Sequence, residues 1–344
     1  MVWSGKCIGE GHTMNNKIRF AILGAGVVAG FHADAVESIE NAELVGVYDP
    51  NTDNASKFAE KYNITSYESY EKLLEETRVD VVCICTPSSF HADNAIMALR
   101  HKKHVVVEKP MAICSEDADR IIEEEKRSGC VLTVISQLRF SDDIKTVKKL
   151  VEEGAFGKIS FCDLYMKYWR DTDYYKTSSW KGKKAIDGGG AVMNQGIHGI
   201  DLILYIMGNA KVVGSKTKTI FHDIEVEDTA TALLEFDNGA LGVIEASTGA
   251  YPGFERCIEI MGSTGYVILK ENVIEKLVLN KETVIDRRDI ELTKSASRPD
   301  SLDYEYHARQ LRNLIDAISG KDKLLIDCRE GKKALQLIED IYKG

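Results

Sequence analysis

Apolar residues follow two rhythms along this chain, and the change between them falls near residue 143. From Lys17, short β-rich apolar runs alternate with segments whose apolar residues recur at helical spacing, the pattern of βαβ units. The first run, 18–23, ends in a glycine turn, and a helix is expected over 29–39. Further strands are expected at 44–48, 79–85, 104–107 and 131–136, and helices at 51–61, 67–76, 90–102 and 115–128. The 79–85 run is apolar almost throughout and does not alternate, which marks a strand buried on both faces. Five β-runs alternating with helices predict an α/β domain with a doubly wound, mostly parallel sheet.

Beyond 143 a helix over 144–153 leads into a strand-rich half, with runs at 158–169, 211–221, 229–236, 240–248, 257–261, 266–270, 276–279 and 283–287. Asp237-Asn238-Gly239 between two of these runs reads as a hairpin turn. One helix, 191–207, interrupts the strands, and two more, 303–319 and 329–342, close the chain. Adjacent hairpins and long connections predict an α+β domain on a large open antiparallel sheet. The division is expected at 17–140 and 141–344, with the closing helices free to pack back on the first domain. Residues 1–16 carry no period, and neither the basic start nor the apolar core of a signal peptide. They are expected to be a leader foreign to the native chain, or a loose extension.

Composition narrows the function classes. With 344 residues, 44% hydrophobic and 28% charged, the chain is too long for one ordinary core and too apolar for disorder. A formal net charge of -10 argues against holding nucleic-acid phosphates. No apolar run approaches the roughly 18 residues of a membrane span. The 8 cysteines include no CxxC pair, and Cys83 and Cys85, two apart in a strand, share a face and cannot easily bridge. Reduced thiols in a cytoplasmic protein are expected.

Candidate chemistry sits at strand ends. Gly24, Gly26 and Ala29 form a GxGxxA turn after the first strand, with Asp49 closing the second. Gly24 makes the turn and Gly26 lets backbone approach a pyrophosphate. Val27 and Val28 begin a helix whose N–H groups and dipole favour an anion. Asp49 would accept hydrogen bonds from a ribose diol and repel a 2′-phosphate, so NAD is expected over NADP. Thr86 and Pro87 stand at a strand's carboxyl end, where open α/β sheets bind ligands, and His91 opens the next helix. Glu108-Lys109-Pro110 follows 104–107 directly and sets a lysine where cofactor and substrate would meet. Read alone, it is also an ordinary charged turn.

The 187–201 segment feeds Gly188, Gly189 and Gly190 into an expected helix. At 3.6 residues per turn, Asn194, His198, Asp201 and Tyr205 share one face of it. A polar stripe on a mostly buried helix must pair internally or meet a ligand. No metal is expected, because no further His or Cys cluster completes a ligand set. Ahead of it, Arg170, Tyr174, Tyr175, Trp180 and Lys181 fit either a substrate lid, gripping hydroxyls, a carboxylate or a phosphate, or a subunit contact.

In order and spacing, these motifs resemble the glucose-fructose oxidoreductase / inositol dehydrogenase / MocA-like family over about residues 17–344. The resemblance implies an N-terminal Rossmann domain and a C-terminal domain whose open sheet makes dimer or tetramer contacts. It implies NAD(P)-dependent hydride transfer between nicotinamide and a secondary alcohol or ketone of a sugar, cyclitol or nucleotide sugar. Lys109 matches the lysine of the family's Glu-Lys-Pro motif and His198 its catalytic histidine. His198 would act as general base and Lys109 as donor to the reacting oxygen. The residues at strand ends, Glu108 included, would bind cofactor; Arg170, Tyr174, Trp180, Lys181 and Asp201 would meet substrate. One departure stands out: the family often has Asp four residues before the histidine, and here it is Asn194, which orients without adding charge. The Asn-Gln-Gly-x-His pattern is similar to that of nucleotide-sugar dehydrogenases within the family. Two alternatives stay open, a cofactor-binding sensor or scaffold without turnover, and a reductase of a dihydrodiol- or imine-type substrate. Apolar Leu233, Leu234, Leu241, Val243 and Ile244 predict that one sheet face meets a second subunit.

Overall fold

The structure, a computed structural model, describes residues 17–287 and 304–344. The expected leader at 1–16 lies outside the described residues. The chain divides into two units: the first holds the described residues up to Gln137 together with 304–332, and the second runs from Leu138 and resumes at Lys333.

In the first unit β1 (Ile18–Leu23), β2 (Ala42–Tyr48), β3 (Thr65–Ser66), β4 (Val81–Ile84), β5 (His104–Val107) and β6 (Leu132–Val134) form one parallel sheet. Their order is β3-β2-β1-β4-β5-β6. Between them run α1 (Val27–Glu37), α2 (Thr52–Tyr62), α3 (Tyr70–Glu75), α4 (His91–Arg100) and α5 (Ser115–Ser128). β4 and β5 are buried at every position, as unbroken apolar runs require in a sheet covered on both faces. The two-residue β3 is too short to leave a pattern in the sequence. Strand order reverses between β1 and β4, so the loops leaving these strands flank the crevice where such sheets bind ligands.

The second unit opens with α6 (Asp142–Glu152) and builds an eight-stranded sheet. Its strands are β7 (Ile159–Lys167), β8 (Ala210–Lys218), β9 (Thr229–Phe236), β10 (Leu241–Ser247), β11 (Cys257–Gly262), β12 (Gly265–Lys270), β13 (Val273–Leu279) and β14 (Glu282–Asp286). The order is β14-β13-β12-β11-β7-β10-β9-β8. All pairs are antiparallel except β7 with β10, a departure from the antiparallel reading. A parallel pair needs a long connection, and the chain supplies one carrying α7 (Thr172–Lys176), α8 (Lys184–Asp187) and α9 (Ile197–Met207).

Two helices close the chain, α10 (Glu305–Ile318) and α11 (Cys328–Lys343). α10 belongs to the first unit, where its Ala308, Leu311, Leu314 and Ile315 share a buried cluster with Phe20 and Ile22 of β1 and Ala33 and Val36 of α1. Each of the larger side chains here, such as Leu311, Leu314 and Ile315, contributes about 1.5–3 kcal/mol when fully buried.

Two sequence expectations need correcting in the second unit. The helix expected over 191–207 begins only at Ile197, and 191–196 is a run of turns. Buried Glu227 pins that stretch, accepting the N–H groups of Gly190 (3.0 Å) and Val192 (2.8 Å) and the Tyr342 hydroxyl (3.0 Å). A Cβ on Gly190 would collide with the Glu227 carbonyl, which is why the glycine is needed there. Asn194 therefore stands ahead of α9, not on its polar face. The apolar set on β9 and β10 also splits, because successive strand residues point to opposite faces. Leu234 and Ile244 are buried, whereas Leu233 and Leu241 are exposed and Val243 half-buried; exposed Phe161 of β7 pairs with Leu241.

Candidate active site

The candidate residues fall into two groups, one in each unit. In the first unit Gly24 takes φ +95°, and a Cβ there would sit 2.8 Å from the Cys85 carbonyl, so no other residue fits the turn. Gly26 caps α1 with no side-chain hydrogen bond, and a Cβ on it would meet nothing within 4 Å. With Val27 exposed and Val28 half-buried beside it, this helix end presents N–H groups to open space, as a phosphate site requires. Asp49, just past β2, accepts the N–H groups of Ala25 (2.7 Å) and Asn51 (2.8 Å), one on each oxygen. It braces the glycine loop and keeps lone pairs for a ribose diol. These residues fit a dinucleotide: the loop would hold its pyrophosphate and Asp49 its ribose.

Thr86 and Pro87 follow β4 and Lys109 follows β5, all half-buried. His91 and Glu108 stand differently from the cofactor contacts the sequence suggested. The buried His91 ring lies between two backbone carbonyls, Nδ1 at 2.7 Å from Pro110 and Nε2 at 2.7 Å from Thr86. A neutral ring carries one N–H and donates to one of these carbonyls, and its other nitrogen is buried against the second. Burial pushes this ring's pKa down, against the pull of the two carbonyls.

Glu108 is buried as well, with Oε1 at 2.8 Å from His32 Nε2 and 4.0 Å from His307 Nε2. Burial opposes its charge, yet the hydrogen bond and charge of His32 bring its pKa down to about 2. Burial opposes the charged His32 ring too, but Cys85, Cys83 and Glu108 outweigh it and hold the pKa well above 6.5. Cys85 is itself pushed up to about 11 by burial and stays a neutral thiol, so the charge facing His32 is that of Glu108. Burial and the His32 charge drive His307 down to about 4. At neutral pH Glu108 is thus a carboxylate and His307 a neutral imidazole, with the His32 ring hydrogen-bonded to the carboxylate. Its members are far apart in sequence, and no motif announces it.

In the second unit, Arg170, Tyr174 and Lys181 of the residues expected to meet substrate are linked with Asn194 in one network. Arg170, buried at the end of the β7 extension, gives Nε to the Gln195 side chain (3.0 Å), and Gln195 donates to the Tyr174 hydroxyl (2.8 Å) and to Asn194 (3.0 Å). Asn194 in turn donates to buried Asp187, which also accepts the Gly182 N–H at 2.9 Å. The Lys181 ammonium lies 3.8 Å from the Tyr174 ring centroid, and Arg170 faces the same ring at 5.5 Å, both within cation–π reach. Half-buried Trp180 lies in the turn just before Lys181. Gln195 and Asp187 are the residues that sequence reasoning left without a role. Helical spacing put Gln195 off the polar face, and that spacing does not hold before Ile197.

His198 is half-buried in the first turn of α9. The helix is seated against β7 so tightly that a Cβ on Gly199 would lie 2.7 Å from Met166 Sδ. Asp201 stands apart from this network. Both its oxygens are taken by Arg139, Nε to Oδ2 at 2.9 Å and Nη2 to Oδ1 at 2.7 Å, and both residues are buried. The structure thus gives it a partner inside the unit.

Comparison with known proteins gives the family. Residues 18–136 match the model of an oxidoreductase family with an NAD-binding Rossmann fold, and 144–268 match the GFO/IDH/MocA C-terminal domain. The chain is 30% identical to the myo-inositol 2-dehydrogenase of Thermotoga maritima, over 93% of this chain and 94% of that protein. It is 26% identical to the D-glucoside 3-dehydrogenase of Escherichia coli, over 96% of each. Among solved structures, the WlbA dehydrogenase of Bordetella pertussis, in complex with NADH and UDP-GlcNAcA, is 31% identical with a TM-score of 0.85, covering 95% of this chain and 96% of that one. By sequence, fold and the glycine loop with its acidic partner, the chain belongs to the GFO/IDH/MocA oxidoreductase family and is an NAD-dependent enzyme of that family.

Proposed function

We propose that this enzyme, an NAD-dependent dehydrogenase of sugar- or cyclitol-type hydroxyls, oxidises a ring secondary alcohol on a nucleotide sugar that carries a carboxylate. The observation that supports the substrate class is the likeness, at 31% identity over nearly the whole chain, to a dehydrogenase solved with NADH and UDP-GlcNAcA. The Arg170, Lys181 and Tyr174 group suits it, since guanidinium and ammonium groups pair with carboxylate or phosphate. Bound NAD+ supplies the hydride acceptor. His198 takes the proton of the reacting hydroxyl, and Lys109 donates a hydrogen bond to its oxygen as charge develops there. Asn194, tied to Asp187 and Gln195, orients a substrate hydroxyl.

The test is a panel. Nicotinamide reduction is followed with UDP-GlcNAcA, UDP-GlcNAc, myo-inositol and glucose, each with NAD+ and NADP+. Fastest turnover is expected with UDP-GlcNAcA and NAD+. Faster turnover of myo-inositol overturns the substrate reading, and a preference for NADP+ overturns the role of Asp49.

No described helix is long and apolar enough to cross a membrane. Our reading places the enzyme in the cytoplasm, in keeping with the seven described cysteines, all thiols outside disulfides. Two or four copies associate through the outward sheet face bearing Phe161, Leu233, Leu241 and Val243. Light scattering is expected to give a mass well above the 38.3 kDa of one chain, and a 38.3 kDa particle would sink this reading.

A further inference from the structure

The backbone that carries Lys109 is gripped from both sides by buried polar side chains. On one side, Glu108 Oε2 accepts the Lys109 N–H at 3.2 Å, while its Oε1 meets His32 at 2.8 Å. On the other, the Pro110 carbonyl lies 2.7 Å from His91 Nδ1, and the same ring reaches the Thr86 carbonyl at the end of β4. The Lys109–Pro110 segment is thereby fixed to α1 through His32 and to α4 through His91.

Packing alone does not explain this arrangement. Buried ion pairs are often matched or bettered by apolar side chains of similar volume, and the surroundings in α1, β1 and β4 are apolar. The Nδ1 atoms of His32 and His307 are buried without a hydrogen-bond partner, a further cost that an apolar core would avoid. Coordination of a metal by His32, Glu108 and His307 fits less well. Histidine ligands ordinarily pass their second nitrogen to an outer acceptor, and 2.8 Å between His32 and Glu108 is a hydrogen-bond length.

We infer that His32, acting through Glu108, and His91 are positioning residues for Lys109, fixing the peptide from which its ammonium reaches the reacting oxygen. The inference rests on the role given to Lys109 above. His32 holds the Glu108 carboxylate in one orientation; that carboxylate holds the Lys109 amide, and His91 holds the following carbonyl. A misplacement of about 1 Å at such a group costs about 10²-fold in rate.

The test compares His32→Leu, which removes the donor, with His32→Gln, whose side-chain amide can still donate toward Glu108. Steady-state kinetics on the substrate found in the panel, NADH affinity and amide hydrogen exchange of the segment containing Lys109 are read for each. His32→Leu is expected to lower kcat roughly 10- to 100-fold with KM for NAD+ nearly unchanged, to speed exchange at Lys109, and to be largely rescued by His32→Gln. Should His32→Leu not fold, Glu108→Gln and His91→Leu carry the same expectation. Exchange at Lys109 that does not change overturns the positioning itself. Faster exchange with unaltered kcat overturns its link to turnover. If Lys109→Ala also leaves kcat unaltered in that case, the fault lies with the role of Lys109. A stoichiometric transition metal in the protein as purified also overturns the inference, because coordination would replace the His32–Glu108 hydrogen bond.

Discussion

Replacing His198 with Ala is expected to lower turnover about 10²–10⁴-fold, the range that general acid–base catalysis supplies, with NADH affinity nearly unchanged. The glycine loop and Asp49, which fit the cofactor, belong to the first unit, and His198 belongs to the second. The loss should therefore appear in kcat and not in cofactor binding. Since a base must be deprotonated to act, oxidation by the unaltered enzyme should also slow toward acid pH. If its ammonium donates to the reacting oxygen as proposed, Lys109→Ala should cause a loss of similar size, but it should not abolish the acid limb of the profile. The remaining candidates for a base are poor. Burial raises the Tyr174 phenol and pushes that of Tyr175 up to about 12, so both stay protonated and serve as donors. Near-normal oxidation by His198→Ala would leave the half-buried polar start of α9 as structure alone.

What the sequence reveals depends on how far a residue's partners lie along the chain. The parallel sheet of the first unit is legible because its strands are buried on both faces and its helices keep their own period, so β4, β5 and α5 each announce themselves locally. The glycine loop is legible for the same reason: Gly24, Gly26 and Asp49 do their work within one βαβ unit. The parallel pairing of β7 with β10 is not legible, because it depends on where a long connection returns the chain. The start of α9 is missed because Glu227 and Tyr342, remote in sequence, hold the glycine loop that precedes it. His91 and Glu108 show a subtler failure. Both lie at the strand ends that the pattern marks, yet His91 is drawn inward by two carbonyls and Glu108 by an imidazole on α1. A side chain at the right place in the sheet can still turn to the support of its neighbour, and only the three-dimensional partners say which it does.

Asp201 is the sharpest case of that kind, and its replacement should cost stability before it costs activity. Arg139 is among the largest fully buried side chains, held by both Asp201 oxygens in a fork and lying 4.9 Å from the Tyr205 ring centroid. Asp201→Ala would take from the buried guanidinium the carboxylate that holds it in a fork, and breaking a buried pair in this way costs about 3–5 kcal/mol. The expected result is a lower denaturant midpoint for the second unit and less soluble protein, with KM for substrate unchanged in the fraction that folds. Pairing the change with Arg139→Met removes the buried cation as well, so the double variant should recover much of the loss. A substrate-binding carboxylate would behave in the opposite way: Asp201→Asn would unfold at the same midpoint as the unaltered protein, KM would rise, and Arg139→Met would restore nothing. Helical spacing alone puts Asp201 on the same side of α9 as His198, which is why the sequence groups them. Arg139, just before α6, supplies the cation that separates their roles.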